Sequence, residues 1–243
     1  STSESVMVGM WAGSSITTSS YNTLIGYAAG GSLKTSTKNV ALGHNALYGH
    51  ATQDTASDNN VSIGFRSMFT ASGANYNVAI GEGALSGAST GMVGDNNVAV
   101  GRQAGTSATT GVGNVFVGAG AGYGATTAQK SVIIGTNAGY ALGTHHGSTI
   151  IGFEAGRFLD AGSGGSVALG HQALYSGTQN YQDTAIGINA GKKATGGSAN
   201  NVFLGSHAGP STAGAVSNSL YIANAEGDPL IGGTFPNTLI SLN

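Results

Sequence analysis

Twelve short blocks of the Asn-Val-Ala-Ile-Gly type punctuate this chain, closing on Gly9, Gly26, Gly43, Gly64, Gly81, Gly101, Gly118, Gly135, Gly152, Gly170, Gly187 and Gly205. The gaps between them are 17, 17, 21, 17, 20, 17, 17, 17, 18, 17 and 18 residues. A repeat of fixed period constrains a fold more than any single motif, because each unit must present the same surfaces to its neighbours. A thirteenth block, Ser219-Leu220-Tyr221-Ile222-Ala223, keeps the spacing but carries Ala where the others carry Gly. The array covers residues 5 to about 223.

Aligning the chain with itself shows which positions are constrained. The residue before each Gly is aliphatic, and two residues earlier stands Val or Thr in nearly every copy. Short β-branched runs between Gly-rich turns read as strands. Three residues after the Gly comes Ala in eleven of twelve copies, with Ser67 the exception, and then Gly, Leu or Met. A small residue at a fixed place marks a crowded corner. A period of 17–21 residues is too short for a helix pair and suits one coil of a β-solenoid. The chain is therefore expected to be all-β: a parallel β-solenoid with about twelve coils. At about 4.8 Å per coil, the rod is roughly 55–60 Å long. The Asn that opens most blocks (Asn22, Asn39, Asn60, Asn77, Asn97, Asn114, Asn201) is placed to form an amide ladder along the rod, or alternatively only to favour a turn.

The middle residue of each block is also mostly apolar, Ser62 being the polar exception. A strand with one wet face alternates apolar and polar residues. These strands do not, so both faces call for cover. The expectation is a homotrimer of parallel rods, side by side or intertwined; the alternative is a wide solenoid with both strand faces internal. Composition agrees with an ordered, covered structure. Gly accounts for 43 of 243 residues, and only 7% are charged against a usual quarter. Disorder requires more charge and less apolar content, and collagen requires a three-residue phase and more than three prolines. The net charge of −2 gives no basic field for nucleic acid. No apolar run approaches the roughly 20 residues of a membrane span, so no membrane insertion is expected. There is no cysteine for a disulfide framework. The chain begins with Ser and without a signal peptide, which leads us to expect a piece of something longer.

The Asn-Val-Ala-Ile-Gly block followed by x-x-Ala-Gly or x-x-Ala-Leu resembles the repeats of bacteriophage tail fibres and tailspikes with β-helical shafts. It is also similar to the head repeats of trimeric autotransporter adhesins of the YadA type, whose repeats are shorter than these and build a left-handed β-roll; the resemblance implies a solenoid of that left-handed β-roll type here. After Gly209 the period breaks, and all three prolines (Pro210, Pro229, Pro236) fall in the last 34 residues. We divide the chain into a repeat array over 1–209 and a C-terminal β cap over 210–243. That cap resembles the segment before the self-cleaving chaperone of many phage fibres, which would place Asn243 near a maturation cut. The resemblance implies a tail-fibre segment on a virion, extracellular, attaching to a bacterial surface glycan or outer-membrane protein. A polysaccharide-degrading tailspike and an autotransporter adhesin head are the alternatives.

Residues that could carry chemistry are sparse. Glycoside hydrolysis needs two carboxyls at about 5–9.5 Å. The acids are scattered, with Asp54 and Asp58 sharing the longest insertion and Glu154, Arg157 and Asp160 sharing one coil. His145-His146 lacks metal-ligand spacing, and no repeated calcium motif or nucleophile elbow is present. No catalytic residue, metal or cofactor is expected. The suggestive feature is aromatic: Tyr48, Phe69, Tyr123, Tyr140 and Tyr175 all stand five residues after a block Gly and so fall in one row. With Trp11, they are the receptor-binding candidates; a packing ladder between subunits is the alternative role.

Overall fold

The computed structural model describes residues 4–49, 56–87, 91–159, 164–177, 181–225 and 230–234. Each block forms one short strand: β1 (Val6–Val8), β2 (Thr23–Ile25), β3 (Val40–Leu42), β4 (Val61–Ile63), β5 (Val78–Ile80), β6 (Val98–Val100), β7 (Val115–Val117), β8 (Val132–Ile134), β9 (Thr149–Ile151), β10 (Val167–Leu169), β11 (Thr184–Ile186), β12 (Val202–Leu204) and β13 (Ser219–Ile222). They pair in chain order, parallel and in register, so that equivalent residues of successive coils lie side by side. A final strand, β14 (Ile231–Thr234), turns back antiparallel to β13 and covers that end of the sheet. The fold is an all-β parallel solenoid of about twelve turns, with no helix among the described residues.

Steric necessity enforces the block glycine. Gly135 ends β8 at φ +131°, and a Cβ added there would lie 2.4 Å from the carbonyl oxygen of Gly152 in the next coil. Every block Gly from Gly9 to Gly187 meets the backbone of its successor in this way. Gly205 faces Ala223 instead. Ala223 is followed by no further parallel coil, because β14 reverses direction. That is why the thirteenth block tolerates a methyl group.

The middle residue of each strand points inward. Leu24, Ala41, Ala79, Phe116, Ile133, Ile150 and Phe203 are fully buried, as is Ser62. Core volume is shared within each coil between this residue and the one four places after the Gly. Where the middle residue is small (Ala41, Ser62, Ala79, Ala168), the second position is large (Leu47, Met68, Leu85, Leu174). Where it is large (Leu24, Phe116, Ile133, Ile150, Phe203), the second is Gly. A Cβ on Gly30, for instance, would meet the Leu24 side chain at 2.8 Å. Two coils are small at both places, Ala99/Gly105 and Ala185/Gly191. Their space is filled from either side: a Cβ on Gly105 would strike Phe116 and Leu85, and one on Gly191 would strike Leu174 and Phe203. The two polar exceptions also belong together. Ser62 Oγ and Ser67 Oγ are 2.6 Å apart in the core, and Ser67 Oγ donates to the Gly64 carbonyl.

The amides do form a ladder. From Asn22 to Asn97, each Asn Oδ1 accepts both the main-chain N–H and the Nδ2 of the next rung, as at Asn39–Asn60 (2.9 and 3.2 Å), and Asn114 Oδ1 accepts the Ser131 main-chain N–H. Each Nδ2 also donates to a main-chain carbonyl of the neighbouring coil, Ser57 for Asn39 and Gly111 for Asn97. Past Asn114 the slot holds Ser131, Ser148, Ser166, Asp183, Asn201 and Ser219, all buried.

The outward sheet face is aliphatic and open. Residues flanking the buried middle position, such as Val40, Leu42, Ile80, Val100, Leu169, Ile186 and Leu204, are each about two-fifths exposed (36–44%). Only one strand face lies inside the coil, so the wide solenoid with both faces internal does not hold. The chain carries a flat aliphatic band along its whole length.

Candidate functional site

The predicted aromatic row exists and is half-buried. Tyr48 stacks on Phe69 with centroids 5.4 Å apart, and Tyr123 on Tyr140 at 4.8 Å with planes within 8°. Register explains the contact, since equivalent positions of successive coils lie one strand spacing apart. Two of the copies without a ring carry a cation. Arg157 and Lys192 occupy the same slot, with the Arg157 guanidinium 5.7 Å from the Tyr140 centroid and Lys192 Nζ 5.5 Å from that of Tyr175. Phe158 meets Tyr175 edge-on at 5.2 Å. Glu154 ties this stretch together, pairing with Arg157 and accepting from Gln172 Nε2 at 2.8 Å; Gln172 Oε1 in turn accepts from Lys192. The sequence reading missed these cations because it scanned the row for ring types only.

Trp11 stands apart from that row. It opens a second one, passing to Tyr27 (5.4 Å), His44 (4.9 Å) and Phe65 (5.4 Å). Tyr27, His44 and Phe65 each directly follow a block Gly, and Phe153 and His171 stack in the same slot further along. The signal is in the sequence: rings or imidazoles fill three of the first four copies of the slot directly after the block Gly. This row borders the aliphatic sheet face, and Trp11, Tyr27, His44 and Phe65 are exposed. The two rows meet at Arg66, whose guanidinium lies 5.3 Å from the Phe65 centroid and 5.1 Å from that of Phe69.

The acids considered for hydrolysis have other occupations. Asp58 Oδ1 accepts the Thr37 N–H at 2.6 Å, and Asp95 Oδ1 accepts that of Asn75, whose own Oδ1 accepts the Asp58 N–H. They terminate backbone donors at the two coils that carry insertions. Asp54 and Asp160 lie outside the described residues, as do Pro229, Pro236 and Asn243. Asp183 is a rung of the ladder: burial raises its carboxyl to about 6, against the lowering effect of the Asn201 main-chain and side-chain N–H groups. His145 is buried. No group of three His, Cys, Asp or Glu side chains that could hold a metal occurs among the described residues.

Comparison with protein-family models, with curated proteins and with solved structures finds no match to this chain.

Proposed function

We propose that this chain is a rod segment of a homotrimeric, phage-type tail fibre, extracellular on the virion, that attaches to a bacterial surface without cleaving it. The observation that carries the reading is the pairing of an open aliphatic band along a stiff rod with an exposed aromatic row at its margin. The band requires cover by more of the same surface, because its flat periodic shape matches another copy of itself. Once three rods share that cover, the aromatic rows repeat around the fibre, and multivalency converts weak single contacts into firm attachment. The ligand class is a surface glycan or an outer-membrane protein. The bonding of Asp58, Asp95 and Glu154 to backbone or neighbouring side chains supports binding over hydrolysis.

The test is direct. The purified, fluorescently labelled chain is titrated against a panel of Gram-negative strains, and their isolated polysaccharides are assayed for new reducing ends. Saturable binding to some strains with no release of reducing ends is the expected outcome. Absence of binding to every strain contradicts attachment by this segment, and release of reducing ends would make it a tailspike.

A further inference from the structure

We infer that the cleft where the aromatic row is interrupted, beside β4, β5 and β6, binds one neutral pyranose ring; it rests on the attachment reading only for the source of that sugar. Five residues after the block Gly, the row runs Tyr48, Phe69, then Ser86 and Thr106, then Tyr123. Two small residues in succession open a gap about two strand spacings, or roughly 10 Å, along the rod. The gap is a cleft of about 250 Å³, lined by Phe65, Arg66, Phe69, Glu82, Gln103 and Thr106 together with Ser86, Gly83 and Gly87. Its size suits a single sugar ring with its hydroxyls.

Its chemistry suits one as well. The Phe65 and Phe69 rings supply flat apolar faces against which the C–H face of a pyranose packs. Arg66 lies over both rings, and no ion pair engages it among the described residues. Its guanidinium offers donors only, and the Glu82 carboxylate, also in the lining, offers acceptors only. Gln103 offers both, with its Oε1 already accepting from Arg102 at 3.2 Å. Vicinal hydroxyls, each donor and acceptor, match that set. One positive and one negative side chain leave the cleft without net charge, so a uronate would face Glu82 and an amino sugar Arg66. The floor is kept clear at Gly83, where an added Cβ would find only Gln103 Cγ, 3.6 Å away, and Thr106 Oγ1 holds the Gly83 carbonyl at 3.0 Å.

The cleft can be closed without disturbing the coil. Tyr already occupies the equivalent slot at Tyr48, Tyr123, Tyr140 and Tyr175, so Ser86→Tyr extends the row and fills the gap. The experiment is saturation-transfer NMR on the full chain with methyl glucopyranosides, galactopyranosides and mannopyranosides, using methyl glucuronide and glucosamine as charged comparators. At least one neutral pyranoside is expected to bind with Kd on the order of 1 mM. Ser86→Tyr should weaken it at least tenfold, and the exposed substitution Glu82→Ala at least fivefold, with unchanged circular dichroism in both. The inference is overturned if no neutral pyranoside binds, if a charged comparator binds more tightly, or if both variants retain the wild-type signal. Cell attachment is scored separately: a chain that binds cells but no pyranose refutes the cleft and leaves attachment standing, whereas one that binds a pyranose but no cells does the reverse.

Discussion

At the scale of single residues, the repeat is a list of places where one atom more is too many. Gly135→Ala places a methyl group 2.4 Å from a backbone oxygen that cannot move without shifting the next coil. Chemical denaturation should show a loss of at least about 3 kcal/mol, combining the clash with the cost of positive φ. Gly214 is the contrast. It has open space around it and no positive φ, so Gly214→Ala should stabilise the chain by about 0.4–1 kcal/mol through the unfolded state. Asp183 provides the pH-dependent case. Its Oδ2 is buried without a partner, whereas an Asn rung has an N–H group to donate to a carbonyl. The carboxyl is raised in the fold from 3.8 to about 6, so the folded state favours its neutral form. Its stability contribution is therefore fully present below about pH 4 and is lost as the pH rises to about 6. Thermal unfolding of Asp183→Asn should lack that decline relative to wild type, and the variant should be the more stable above pH 6, by on the order of 2 kcal/mol.

At the scale of the coil, stability comes from volumes and polar groups that fit as pairs. Ala79 and Leu85 share one core cell. Ala79→Leu alone overpacks it and Leu85→Gly alone empties it. The double variant recreates the Leu24/Gly30 pairing of a natural coil, so it should recover at least about 2 kcal/mol relative to the sum of the singles in a double-mutant cycle. The Ser62–Ser67 pair obeys the same logic in polar form, which is why the two exceptions to the repeat occur in one coil. Much of this was legible from the chain alone. Period, strand positions and the Ala corner are each sampled about a dozen times, and the row of rings five times. The strand face pointing inward was not legible, because Ala and Phe in the middle and Val and Ile at the flanks are all apolar. Pairing across a coil was also hidden, since Ser62 and Ser67 look like separate irregularities until the turn brings them to 2.6 Å. The aromatic row was read correctly as a row but not as a mixed one, with Arg157 and Lys192 in place of rings.

At the scale of the whole molecule, the dominant feature is the aliphatic band. A solenoid of 17-residue coils encloses a thin core, and two of the three side chains in each repeat strand, Val40 and Leu42 among them, stay outside it. A soluble monomer rarely leaves a continuous apolar strip of that length in water. The proposed trimer would account for the strip, for the scarcity of charge, and for aromatic side chains displayed outward. The measurement that bears on this most directly is multi-angle light scattering on the purified chain at micromolar concentration, beside a variant with Ile134→Lys and Leu169→Lys on the band. A single species of about three times the 23.8 kDa chain mass is expected for the wild type, and a folded, smaller species for the variant. A monodisperse wild-type monomer would contradict the trimer.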